Sequence, residues 1–371
     1  MKLYQPDYYE KFQCTAADCP MTCCMQWRIA VDDETFMRWD EEWKKKVREV
    51  EEGRIIELQQ DGMCPFLNEE KLCKIVLRDG EGAISHTCHT FPREEHEYPG
   101  RIERGLTPGC PAVLDLLWEN DHFQIQEKEE EQETLAEEIY EINPVLFEIR
   151  DWFFSIINQS DLKLNTAMEI CFLIALDLDE WEQKGMLEEE FPHYKKTTDI
   201  RAIQNAIGED RQMTPERQEE YRLLFLDISE IYRKQNIYAD FLIPLADVSK
   251  TPECQDLERW NAYQQEMEQW QKPMRALFAE EISSALITPG TGQVLDMLVK
   301  LEWMALEYAV LQQALFLQYL NGTGEITYEK LRESVCVIFR MMGYADDDIW
   351  EYMENCFDSV VWPWEYYSLL V

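Results

Sequence analysis

Glycine is scarce. The 371 residues include 14 Gly, against roughly 26 at ordinary usage. Neither G-x-G-x-x-G nor G-x-x-x-x-G-K-[ST] occurs. Those glycines let backbone N–H groups close on phosphate, so a dinucleotide or P-loop site is disfavoured. Positive charge is short as well. Lys and Arg number 35 against 74 Asp and Glu, a formal net charge of −39. Such a surface repels a phosphate backbone, which argues against a nucleic-acid partner and leaves a basic protein or peptide as the better fit. Long apolar runs are missing too. Met1-Lys2-Leu3-Tyr4-Gln5-Pro6-Asp7 has no apolar centre and does not read as a secretory signal. The most apolar stretches, 170–176 and 308–320, are too short to span a bilayer. The expectation is a soluble, cytoplasmic protein with no membrane partner.

What is present is enough to fold. Hydrophobic residues make up 46% and aromatics 12%, which rules out wholesale disorder despite the charge. The 12 Cys are unevenly spread, with eight of them within the first 110 residues. Four of the five His precede residue 123. This composition break predicts a boundary at the Glu-rich run 126–133, with a cysteine-rich module over 1–125 and a helical domain over 134–371. The first part carries Pro20, Pro65, Pro92, Pro99, Pro108 and Pro111 and reads as loop-rich. One helix is expected at about 33–58, capped at Asp32-Asp33-Glu34. In the second part Asn143-Pro144 reads as N-cap and N1, with Leu146, Ile149, Phe153, Ile156 and Ile157 at helical spacing. A helix opening near Thr166 follows, and others are expected at about 214–235, 255–286, 293–320, 326–342 and 346–358. Gly322 marks a stop. No strand-rich stretch stands out. The fold class is mainly α, an irregular cysteine-rich module plus a larger all-α domain.

The cysteines carry the chemistry. The first group is Cys14-x4-Cys19-x3-Cys23-Cys24, and the second is Cys64, Cys73, Cys88 and Cys110. In a reducing compartment such density reads as metal ligation rather than disulfides. Thiolate donors select zinc, copper(I) or iron–sulfur centres. A helical turn opened by Asp18-Cys19-Pro20 would put Cys19 and Cys23 on one face, while adjacent Cys23 and Cys24 suit a multi-iron centre better than one closed zinc site. The eight are therefore read as metal ligands, with an iron–sulfur cluster preferred to zinc. Cys171, Cys254, Cys336 and Cys356 read as small core residues. His86, His89 and His96 are candidate ligands or outer donors, though each is more often an ordinary polar residue.

The motif Tyr9-x2-Phe12-x-Cys14-x4-Cys19-x3-Cys23-Cys24-x2-Trp27 continues in Cys64-Pro65-Phe66-Leu67, Leu72-Cys73, Thr87-Cys88-x2-Phe91-Pro92-Arg93 and Gly109-Cys110-Pro111. This series resembles the flagellin lysine-N-methylase family, whose N-terminal part is similar to a zinc- or iron-chelating domain. The helical remainder resembles the family in texture. The resemblance implies methyl transfer to lysine ε-amines of flagellin, with S-adenosylmethionine as donor. The C-x3-C-x2-C spacing of radical S-adenosylmethionine enzymes is absent. A lysine ammonium must lose a proton before its nitrogen attacks a methyl group. Asp115, Glu119 and Tyr140 are acids or phenols near the boundary, but nothing in the sequence selects one as base. The alternative is a metal-binding or redox-sensing interaction protein without catalysis. A zinc-stapled structural domain is a third reading.

Overall fold

The computed structural model describes residues 1–27, 29–50, 53–119, 122–130, 142–208, 212–343 and 345–371. Tyr140 and residues 131–133 of the acidic run lie outside the described residues.

The protein is mainly α, as expected. The N-terminal part nevertheless holds more strand than its sequence announces. A four-stranded sheet has the order β4-β5-β1-β6, made of β1 (Lys2–Pro6), β4 (Arg93–Tyr98), β5 (Arg101–Leu106) and β6 (Ile125–Glu129). The β4–β5 hairpin sets Glu94 opposite Gly105 and His96 opposite Glu103. Its turn uses Gly100 at φ +74°, a backbone angle that Gly adopts without strain. β1 runs parallel to β5 and antiparallel to β6. The polar sequence Arg93-Glu94-Glu95-His96-Glu97-Tyr98 hides β4, because only Tyr98 of that strand is fully buried.

The helix expected at 33–58 is shorter. Helices Asp33–Arg38 and Glu41–Lys44 give way to a hairpin of β2 (Val47–Val50) and β3 (Gly53–Ile56). Asp32 does cap the first, accepting from Thr35 N, but Asp40 restarts the backbone by accepting from Glu42 N and Trp43 N. Val47, Val50, Ile55 and Ile56 then favour extended chain. The expected helix at 255–286 is also divided, into Leu257–Met267 and Gln271–Ser284, by a 3-10 turn at Glu268–Trp270. Pro273 sits in the first turn of the second piece, where its missing N–H is tolerated. Helices Pro111–Glu119, Leu187–Thr197, Ile200–Ile207, Ala239–Val248 and Trp364–Leu370 were not expected. Pro192 and Pro244 lie inside two of them and break the helical reading. The remaining expectations hold: Asn143 caps Pro144–Ile157, and Pro215–Lys234, Val294–Asn321, Tyr328–Met342 and Asp346–Cys356 follow.

Packing sorts the chain into two apolar cores. The larger joins the sheet side, through Tyr8, Tyr98, Leu106 and Val113, to the helices. The long helix Val294–Asn321 runs through its centre, buried almost all round. Gly105 permits the sheet's approach to helix Gln271–Ser284, since a Cβ there would meet Ser284 Cβ at 2.8 Å. The smaller core contains Trp39, Trp43, Ile56, Cys64, Phe66 and Ile75. It holds four of the eight clustered cysteines, Cys24, Cys64, Cys73 and Cys88.

The long helix carries buried acids. Glu302 is fully buried, its Oε1 accepts from Trp362 N at 2.7 Å, and its Oε2 has no partner. Burial pushes its carboxyl up to about 8, against an ordinary 4.5. Between those values the unfolded chain has lost the proton that the folded chain keeps. The penalty is absent below about 4.5 and accumulates up to about 8, so stability falls as pH rises through this window. Glu302→Gln is expected to raise Tm at pH 8 and change it little at pH 5. Thermal melts at the two pH values check it.

Candidate active site

The two halves of the chain meet around a cavity of about 570 Å³. Trp27, Phe91, Glu94 and the Thr107–Pro108–Gly109 loop form one wall. Glu281 and Ser284 come from helix Gln271–Ser284, and Lys300, Trp303, Met304 and Glu307 from the long helix. Phe339 and Arg340 close the remaining side. The size lies within the usual range for small-molecule sites.

Three carboxylates give the cavity its character. Glu94 is pushed up to about 7 by burial. Glu307 is buried and pushed up to about 8, again by burial. Glu281 lies well above the carboxylate range, first through burial and then through the charges of Glu307, Glu94 and Glu280. Acids held near neutrality can exchange a proton at working pH. Glu280 behind them is a different case: its Oε2 accepts from Tyr8 Oη at 2.5 Å and its Oε1 from Leu106 N at 3.4 Å.

The cations on the wall are engaged elsewhere. Lys300 Nζ reaches Thr288 Oγ1 at 2.5 Å, Thr291 Oγ1 at 3.0 Å and Asp346 Oδ2 at 3.2 Å. These three partners use all the protons of an ammonium. Arg340 donates from Nε to Gly109 O and from Nη2 to Met21 O, both at 2.7 Å. Its guanidinium lies 5.5 Å from the ring centre of Trp27.

The cysteines stand behind this wall. Trp27 and Phe91 follow Cys24 and Cys88 by three residues each, and their rings meet edge to face at 4.6 Å. Cys64 N donates to Cys24 O at 2.9 Å. Cys73 caps helix Lys74–Asp79, and Cys88 lies in His86–Thr90 with its N–H on Ser85 Oγ. Cys24, Cys64, Cys73 and Cys88 all pack on the smaller core. Burial, with a smaller contribution from a charge on Cys24, raises the Cys64 thiol to about 12 and the Cys88 thiol to about 11, and the same two causes raise Cys73. Cys24 itself is lowered to about 7 because Cys23 donates to it, and Cys23 is raised in return.

A second sulfur neighbourhood joins Cys19 and Cys110 to Cys336, whose Sγ reaches Pro108 O at 4.0 Å. Cys336 was read as core; it is buried, yet it faces the cysteine-rich part. Cys171 and Cys254 are buried as expected, whereas Cys356 is exposed. Cys14 is exposed, in irregular chain just before the 3-10 turn Ala16–Asp18. Cys19 ends a 3-10 turn in extended backbone, so the helical turn that would align it with Cys23 is not formed.

Sulfur donors gathered on one core suit a thiophilic metal or an iron–sulfur cluster in donor chemistry. Among the described residues, however, no three His, Cys, Asp or Glu side chains stand as a ready cage for a metal ion. His86 and His89 are exposed, and half-buried His96 lines the cavity with its pKa lowered by burial. Asp115 is held by Tyr328 Oη and by Arg332 at 2.9 Å, and Glu119 is exposed. Neither lines the cavity. Glu94, Glu281 and Glu307 escaped the sequence reading. The available signal was an acid inside an apolar helical stripe, as Glu307 is within Trp303-Met304-Ala305-Leu306-Glu307-Tyr308-Ala309.

Residues 150–370 match the FliB lysine N-methylase C-terminal domain. The chain belongs to the FliB lysine N-methylase family. The match takes in Glu281, Lys300, Glu307 and Arg340 but not the clustered cysteines. A lysine-N-methylase of Salmonella typhimurium is 29% identical over 144 residues, 35% of this chain and 36% of that protein. The flagellar biosynthetic protein FliU of Salmonella muenchen is 29% identical over 138 residues, 33% of this chain and 82% of that protein. The chain thus aligns with about a third of the length of the curated lysine-N-methylase. No solved structure matches. Among the described residues, no helix is long and apolar enough to cross a membrane.

Proposed function

We propose that this protein transfers methyl groups to lysine ε-amines of flagellin, with S-adenosylmethionine as donor, in the cavity between the cysteine-bearing wall and the family-matched helices. One observation carries the reading: a family methylase domain contributes Trp303, Met304, Phe339 and two buried acids to a cavity sized for a side chain and a small donor. A lysine ammonium and a sulfonium donor are both cations. Carboxylates and the faces of Trp27 and Trp303 favour them there.

Cys24, Cys64, Cys73 and Cys88 would hold a thiophilic metal or iron–sulfur cluster, with Cys23 beside them. When bound, such a centre supplies a Lewis-acidic or redox-active group behind the Trp27–Phe91 wall. The protein's own residues keep the geometry. Arg340 ties the Met21 and Gly109 backbones to helix Tyr328–Met342, so the cysteine loops and the cavity form one unit.

The test uses purified protein, flagellin and methyl-labelled S-adenosylmethionine, under reducing anaerobic conditions and with metal analysis. Mass spectrometry is expected to show methyl groups on flagellin lysines, and none on flagellin whose lysines are acetylated. No methylation by metal-loaded protein would turn the reading to a non-catalytic metal-binding or redox-sensing protein.

A further inference from the structure

A buried carboxylate oxygen with nothing to accept is an unusual thing for a fold to keep. Glu307 is 3% exposed and its carboxylate takes a hydrogen bond from the Trp303 side chain, but its Oε2 has no partner, and the side chain lines the cavity. Glu281 lines the same cavity at 8% exposure, and the two charges sense each other. Among the described residues neither makes an ion pair. The cations that also line the cavity, Lys300 and Arg340, have other partners. Glu280 shows the contrast, for it is equally buried but accepts at both oxygens. A lone pair left open inside a cavity calls for a donor that arrives with the ligand.

We infer that Glu307, positioned by Glu281, receives the substrate's ε-ammonium and takes its proton before methyl transfer. The inference rests on the methylase reading and deepens it. Two adjacent buried carboxylates hold one proton between them more readily than two negative charges. The pair then presents one negative charge, enough to bind an ammonium and to accept one proton from it. Trp303 lies four residues before Glu307 on the same helix face and lines the cavity, where its ring can receive the methylene chain and the cation.

The step balances. An N–H bond of the ammonium breaks and an O–H bond forms on Glu307. The freed nitrogen lone pair attacks the methyl carbon of the sulfonium donor. The C–S bond breaks with its electron pair on sulfur, leaving a neutral thioether, and the product nitrogen carries one positive charge and one methyl group. The carboxyl proton passes to solvent through the cavity mouth. Glu307 is thus catalytic, and Glu281 is a positioning residue that keeps the pair singly charged.

The test compares wild type with Glu307→Gln, Glu281→Gln and Glu302→Gln, all checked for folding by circular dichroism. Glu302 is a buried acid on the same helix that does not line the cavity. Glu307→Gln is expected to lower kcat by about 10²–10⁴-fold. Glu302→Gln should leave kcat and donor binding near wild type. Glu281→Gln should shift the pH profile of kcat. Flagellin carrying aminoethylcysteine, whose amine is less basic than lysine's, should recover part of the loss in Glu307→Gln. Wild-type kcat in folded Glu307→Gln would overturn the inference and leave the methylase reading standing. If wild type itself does not methylate, the site is read by calorimetry with a flagellin-derived lysine peptide and its acetyl-lysine form. Binding of the lysine form alone, lost in Glu307→Gln, keeps the ammonium site. Equal binding by wild type and variant overturns it.

Discussion

Arg150→Met is expected to cost roughly 3 kcal/mol of unfolding free energy, because it takes from a buried carboxylate one of its two guanidinium partners. Arg150 is 3% exposed and Glu103 8%. The guanidinium donates to Glu103, to Ser283 O at 3.3 Å and to Asp151 at 2.7 Å. It therefore ties helix Pro144–Ile157 to β5 and to the end of helix Gln271–Ser284. Removing it leaves Glu103 with Arg101 Nε alone, at 2.5 Å, and leaves the Ser283 carbonyl without that donor. A methionine of similar length fills the space but supplies no charge. Urea unfolding should show a lower midpoint with an unchanged slope. Adding Glu103→Leu should recover much of the loss, since two apolar groups need no partners. A loss below about 1 kcal/mol would mean that this pair behaves like a surface one. Because β5 also carries Gly105, which packs against Ser284 on the cavity wall, the variant should weaken substrate binding along with stability.

The joint replacement Cys24→Ala/Cys64→Ala is expected to abolish metal binding and loosen the smaller core. That core rests on a handful of apolar side chains, two of them Trp39 and Trp43, and Cys64 is itself one of its buried members. So small a core holds poorly alone, and binding of a structural metal contributes of order 10 kcal/mol at neutral pH in small thiolate domains. Cys24 O also accepts from Cys64 N, so the two segments are already joined by backbone. Metal analysis should find the variant empty. Limited proteolysis should cut within residues 29–90 faster than in wild type, while the helical signal of the larger core persists. Equal metal content in variant and wild type would remove Cys24 and Cys64 from the ligand set.

Some of this molecule was legible before any coordinates. Local rules wrote the long helices: Asn143-Pro144 opened one, and the apolar positions from Leu295 to Leu315 marked the central one. The clustering of cysteines and the motif order around them pointed to the lysine-methylase family, which the match over residues 150–370 supports from the other end of the chain. These are short-range signals, carried by residues within a few positions of one another.

The rest depended on contacts between distant residues. β4 reads as a polar segment, because its partner β5 and the helix beneath it supply the burial that its own side chains do not announce. The sheet forms only when β1, the first strand of the chain, sits between β5 and β6, about a hundred residues or more further along. The cavity acids were invisible for the same reason. Glu281 and Glu307 are ordinary glutamates in a sequence holding 74 acids, and what distinguishes them is burial on a cavity wall with no ion pair among the described residues. Composition fixes how much charge a chain carries. Only the packing of helix Gln271–Ser284 against the long helix and the Trp27–Phe91 wall decides which of those charges is buried without an ion pair, because desolvation is a property of the assembled surroundings and not of the residue.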